Sequence, residues 1–143
     1  MKNKIIAITV ILILAIVAIS IFQKNKTTNF EDIVSTNAEK IADIEVTKDL
    51  FDGNKERVNF NKKEEIEAFL NEFSGLNLKE SKYRGTYSKQ YNVLIKPDKI
   101  QLDYLIMVYD NKHISIHHYS KNTGVVFYEI ANDEEVNLDK FFQ

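Results

Sequence analysis

The chain has 143 residues with 19 Lys and Arg, 21 Asp and Glu, three His, one Pro and no Cys, for a net charge of −2. That length holds one compact domain of ordinary size, and without Cys there is no disulfide, no thiolate nucleophile, no Cys-ligated zinc and no sulfur to carry a lipid. Lys2, Lys4, Lys24 and Lys26 flank an apolar run, which leaves 15 cations against 21 anions in the rest and only Arg57 and Arg84 for bidentate phosphate contacts; nucleic acid is therefore not an expected partner.

Residues 5–22, IIAITVILILAIVAISIF, are uncharged, with only Thr9 and Ser20 polar. As a helix they span about 27 Å at 1.5 Å per residue, close to the ~30 Å hydrocarbon core, so a single-pass transmembrane helix that meets the lipid bilayer through 5–22 is expected. The competing reading is a signal peptide cut near Ser20, after Ala18-Ile19-Ser20, with the domain secreted. Against a cut, the apolar run exceeds the usual signal core and continues through Ile21 and Phe22. Two Lys on each side leave the positive-inside count level, and the C-terminal side is expected outside by analogy with signal anchors. The expected division is 1–22 as anchor or signal segment, 23–29 as polar linker and 30–143 as an extracytoplasmic domain.

Within that domain, Phe30, Ile33 and Val34 at helical spacing predict a short helix over 29–40. A strand over ADIEVTKDL (42–50) then turns at Asp52-Gly53-Asn54 into KERVNF (55–60), a first hairpin. NKKEEIEAFLNEFSG (61–75) is the clearest helix: Asn61 as cap, Glu64 three residues on, Gly75 as stop, and Ile66, Phe69, Leu70 and Phe73 on one stripe that packs on a sheet. From there YNVLIK, IQLDYLIMVY, HISIHHY and VVFYEIA alternate with period two, with turns at Pro97-Asp98, Asp110 to Lys112 and Ser120 to Gly124. Ile100, Leu102, Tyr104, Ile106 and Val108 share one face of the second of these strands, and Leu105, Met107 and Tyr109 lie on the other, so it is expected to be central. In NDEEVNLDKFF (132–142), Asn132 and Glu135 suit a helix start, and Val136, Leu138, Phe141 and Phe142 an apolar closure. The fold class is α+β: an antiparallel meander with one main packed amphipathic helix.

All three histidines lie in HISIHH (113–118). Alternation puts His113, Ser115 and His117 on one face and Ile114, Ile116 and His118 on the other. His113 and His117 are then about 13 Å apart along the strand, whereas two imidazoles on one zinc need ring nitrogens about 3 to 3.5 Å apart; no metal and no cofactor is expected. DLFDGNKE (49–56) lacks the alternate ligand positions of a calcium loop and reads as a hairpin turn. Asp103 sits in an apolar strand without a second catalytic group placed beside it by local spacing, and no G-x-S-x-G turn or phosphate loop occurs, so no catalytic residue is assigned. Tyr is amphipathic and favoured at contacts. Tyr83, Arg84, Tyr87 and Tyr91, in a locally basic stretch, together with His117 and Tyr119, are the candidate partner contacts.

The layout MKNKIIAITVILILAIVAIS, a polar tether, then IADIEVTKDL, NKKEEIEAFLNEF, YDNKHISIHHY and VVFYEI resembles small single-pass envelope proteins and lipoproteins of low-GC Gram-positive bacteria. It departs from the lipoproteins in having no cysteine to lipidate. The resemblance implies a membrane-anchored, non-enzymatic module at the cell envelope that binds another envelope protein. The alternatives are a secreted or anchored enzyme using His117 or Asp103, and a small-ligand sensor.

Overall fold

The computed structural model describes the backbone of residues 2–24, 26–35, 37–50, 52–82, 89–98 and 100–143, and side chains at 6–22 and at the described positions from 26 onward. The chain begins with helix α1 (Lys2–Lys24), 23 residues long, whose apolar side chains from Ile6 to Phe22 are exposed. Among the described residues no helix is long and apolar enough to cross a membrane. The sequence expectation is met as far as the helix itself.

The rest of the fold is built on an eight-stranded antiparallel sheet. Its strands are β1 (Thr27–Asn29), β2 (Asp43–Leu50), β3 (Lys55–Phe60), β4 (Asn77–Glu80), β5 (Lys89–Lys96), β6 (Tyr104–Val108), β7 (His113–His118) and β8 (Val125–Ile130), in the order β1-β4-β8-β7-β6-β5-β2-β3. The predicted meander is the run from β5 to β8, and β6 is interior as its two apolar faces require. The first hairpin adds to the meander through β2, which pairs with β5 over eight positions from Asp43↔Lys96 to Leu50↔Lys89. Two strands are not signalled in the sequence. β1 takes the last three residues assigned to the linker, and β4 is only four residues long; both are too short to show a period, and they are held by pairing, β1 with β4 and β4 with β8.

The helix expected over 29–40 is broken into α2 (Phe30–Ile33) and a 3-10 turn at Ala38–Lys40. Tertiary pairing overrides the local period here: the Phe30 amide donates to the Leu76 carbonyl (3.0 Å), and the Asn37 side chain accepts from the Glu39 amide, which starts a separate turn. α3 (Lys63–Leu70) continues as a 3-10 turn to Phe73. Its N-cap is Lys62, without a side-chain hydrogen bond, rather than Asn61. Gly75 ends it at φ 77° as expected.

β6 starts at Tyr104, and Ile100 and Leu102 are not part of it. The expected C-terminal helix is only a 3-10 turn, Asp139–Phe142. Asn132, expected to cap it, instead bridges two chain segments: its Oδ1 accepts from the Asn77 amide (3.3 Å) and its Nδ2 donates to the Gly75 carbonyl (2.9 Å).

The core lies on the sheet face that carries Ile44, Val46, Val93, Ile95, Tyr104, Ile106, Ile114 and Ile116, all buried. α3, the segment around Phe30 and the C-terminal residues cover it. Phe69 is the hub: its ring lies 5.0 Å from Phe60, 5.6 Å from Phe73 and 5.2 Å from Phe141 between centroids, and Phe73 stacks on Phe30 at 4.9 Å. Truncating a fully buried aromatic removes both its transfer energy and the packing around it. Phe69→Ala is therefore expected to lower unfolding stability by about 3–5 kcal/mol, read as a shifted midpoint in urea denaturation; a loss below about 1 kcal/mol would mean that α3 is not held by this cluster.

Candidate functional site

The hairpin of β6 and β7 places each histidine in a different setting. At its turn, His113 Nδ1 lies 2.8 and 2.9 Å from the two carboxylate oxygens of Asp110, whose Oδ1 also accepts the amides of Lys112 and His113. The carboxylate closes the turn and orients the ring. At the other end of β7, His117 stacks on Tyr119 with centroids 4.1 Å apart. His118, on the opposite face, stacks on Tyr104 at 4.2 Å. Between them Ser115 is fully buried and shares a hydrogen bond of 3.1 Å with the Tyr109 hydroxyl. The alternation read from HISIHH holds, and among the described residues no group of three His, Cys, Asp or Glu is placed to hold a metal ion.

Local spacing does not foresee the surroundings of His118. Its Nε2 lies 3.3 Å from Asp103 Oδ1 and 2.7 Å from Ser120 Oγ. The register explains the convergence: Tyr104 pairs with His118, and one step further the Tyr119 amide donates to the Asp103 carbonyl at 2.9 Å. Fixing the Asp110 to Lys112 turn as the hairpin centre would have brought Asp103 beside His118 from sequence alone.

Serine, histidine and aspartate together suggest nucleophilic catalysis, but the geometry differs from a relay. In a relay the carboxylate orients one ring nitrogen while the other takes the serine proton. Here Asp103 and Ser120 approach the same nitrogen, so the carboxylate cannot hold the tautomer that would activate the serine. The arrangement instead fastens the turn after β7 to the start of β6.

A second cluster closes the domain. Asp139, from the C-terminal turn, accepts from the Tyr91 hydroxyl (2.5 Å), meets Lys48 at 3.1 Å and pairs with Lys89. The hydrogen bond from Lys89, then those from Tyr91 and Lys48, hold the Asp139 carboxyl well below the usual carboxylate range. Burial, followed by the hydrogen bond to Asp139, pushes the Tyr91 hydroxyl up. Lys48 also lies 5.5 Å over the Phe142 ring. The cluster joins the C-terminal turn to β2 and β5 and acts as a clamp on the C-terminal segment.

Of the candidate contact residues, Tyr83, Arg84 and Tyr87 lie outside the described residues. Tyr91 is buried, with its hydroxyl spent on Asp139, which withdraws it from any surface. Tyr119 is 43% exposed and His117 half-buried, and they form one stacked unit. A shallow groove of about 360 Å³ runs beside them along Ser81, Lys82, Val125 and Phe127. No family of known proteins, no curated protein and no solved structure matches this chain.

The clamp has a pH signature. A carboxylate whose folded-state pKa is depressed stabilises the fold fully above its unfolded value, near 3.8, and loses that contribution as pH falls towards the folded value. Asp139→Asn is therefore expected to be less stable than the parent in urea at pH 7, with the difference shrinking as the pH drops below about 4; a pH-independent difference would mean that the charge of Asp139 plays no part.

Proposed function

We propose that this chain is a membrane-anchored domain of the cell envelope, displayed outside the cell, that acts by binding another envelope protein and not by catalysis. The observation that supports it most directly is the pairing of an apolar helix with exposed side chains to a domain that starts three residues later. α1 ends at Lys24 and β1 begins at Thr27. In water, a row of exposed Ile, Leu and Val of that length is unfavourable, at roughly 25 cal/mol per Å², and a lipid environment removes the cost. Residues 5–22 are uncharged and the flanking Lys can extend to the headgroups, which lets a somewhat short helix be accommodated.

The binding reading draws on how the titratable groups are used. Asp110 closes a turn with His113, Asp139 clamps the C-terminal segment, and Asp103 and Ser120 share one nitrogen of His118. The groove along Ser81, Lys82, Val125 and Phe127 is lined by none of these clusters.

The anchor is tested on cells making the full chain with a C-terminal tag. The tagged protein should stay with carbonate-washed membranes at full length, lose its domain to protease added outside, and form a discrete adduct when a photo-crosslinking residue replaces Glu134. Release of the domain starting near Ile21, or protection from external protease, would sink the placement.

An enzyme is the second reading, favoured by the 2.7 Å contact between Ser120 and His118. Labelling of Ser120 by a fluorophosphonate, abolished in His118→Ala, is the result it requires. A binding module requires that neither the parent nor the variant be labelled.

A further inference from the structure

α1 and the sheet are joined almost without slack. α1 ends at Lys24 and β1 begins at Thr27, and three Cα steps of about 3.8 Å keep Thr27 within about 11 Å of Lys24 whatever lies between them. Lys24 follows the end of the uncharged run by two residues, which puts it at the headgroups of the proposed anchor. β1 is the outermost strand on its side of the sheet and is fixed there: Thr27, Thr28 and Asn29 pair with Lys79, Leu78 and Asn77, and the Phe30 amide donates to the Leu76 carbonyl at 3.0 Å. The domain therefore hangs from one edge of its sheet by a tether shorter than the sheet is wide.

The rest of the sheet extends from that edge. In the order β1-β4-β8-β7-β6-β5-β2-β3 the far strand lies seven spacings from β1, roughly 34 Å at 4.8 Å each. Added to the tether, this keeps the strands within about 45 Å of the end of α1.

Exposed apolar side chains are few. Outside α1, the large hydrophobics that stand exposed among the described residues are Ile100, Tyr119 and Val125, fewer than the central buried cluster that makes an interface tight in free solution. A contact of that kind becomes effective when something else holds the two proteins together. Confinement to a shared layer does so in two ways: it raises the mutual concentration, as a linker does, and it orients both partners beforehand, so that less rotational freedom is lost on contact.

From the tether and the surface together we infer that the partner is itself a protein anchored in the same membrane, and that the contact forms within about 45 Å of the bilayer. The inference rests on the proposed anchor and binding role, and it narrows the partner from any envelope protein to one that shares the bilayer. A protein carried on a more distant surface is out of reach. A freely diffusing one gains nothing from the confinement.

α1 is helical up to Lys24, so a helical spacer inserted after Lys24 continues it as a rod. About thirty residues of repeated Glu-Ala-Ala-Ala-Lys lift the domain by about 45 Å, whereas about thirty Gly and Ser residues, with an r.m.s. span of roughly 30 Å, leave it free to return. The parent chain and the two spaced forms each carry a photo-crosslinking phenylalanine analogue in place of Tyr119, and each is made at full length in cells and read after carbonate washing of the membranes. The parent is expected to stay with the membranes and form a discrete adduct, the Gly-Ser form to keep most of it, and the rod form to lose it by about tenfold or more. An adduct equally strong on the rod overturns the shared membrane and leaves the anchor standing. Loss from both spaced forms overturns it too, since height above the bilayer is then not what decides contact. Parent protein that washes off the membranes sinks the anchor and this inference with it, and parent protein that is retained without an adduct sinks the binding role and its partner.

Discussion

Phe69 has to be buried, and that requirement organises one whole layer of the molecule. With Ile66 and Phe69 buried on one side and Lys63, Glu64 and Glu67 exposed on the other, α3 has a single way to face, towards the sheet, where Phe60 of β3 receives Phe69. Once α3 is seated, Phe73 meets Phe30 and pulls in the segment after β1, and Phe141 packs on the other flank of Phe69. Elements distant in sequence thus share one aromatic cluster. Isolated, α3 would be too short to hold its shape, since helices below about 12 residues are marginal in water; its helicity is a consequence of packing.

Around that core the charges are spent locally. Lys63 pairs with Glu39 at 2.9 Å, Lys62 with Glu65 at 3.0 Å and Arg57 with Glu45 at 3.3 Å. These are surface pairs, each worth little on its own. The Asp139 cluster differs because one carboxylate serves three donors from β2 and β5, so it joins the last residues of the chain to the middle of the sheet. The same economy governs the histidines, whose partners fix turns. Each of these polar groups holds a loop or a chain end in place.

The meander and α3 are legible in the sequence because their apolar periods are long enough to read: five alternating residues in β6, a four-residue stripe in α3. β1 and β4 are not, because three or four residues carry no period and their pairing depends on partners far along the chain. The 29–40 segment misleads for the opposite reason. Phe30, Ile33 and Val34 have helical spacing, yet Phe30 is fixed by a backbone bond to Leu76 and a stack on Phe73, neither visible locally. Ile100 continues the alternation of β6 but stands outside the strand, where the Asp98 turn redirects the backbone. Of the site, the opposed faces of His117 and His118 come from alternation alone. The approach of Asp103 and Ser120 to His118 needs the hairpin register, and the Asp139 clamp needs the complete fold.

β3 is the outermost strand on one side of the sheet, and it reads KERVNF with Lys55, Glu56 and Arg57 exposed. β1, on the other side, offers only three residues. Unpaired strand edges are templates for other strands, and charge or brevity is what blunts them. Copies at high concentration are thereby discouraged from polymerising edge to edge into extended sheets, at densities where a long, flat, apolar border would seed aggregates.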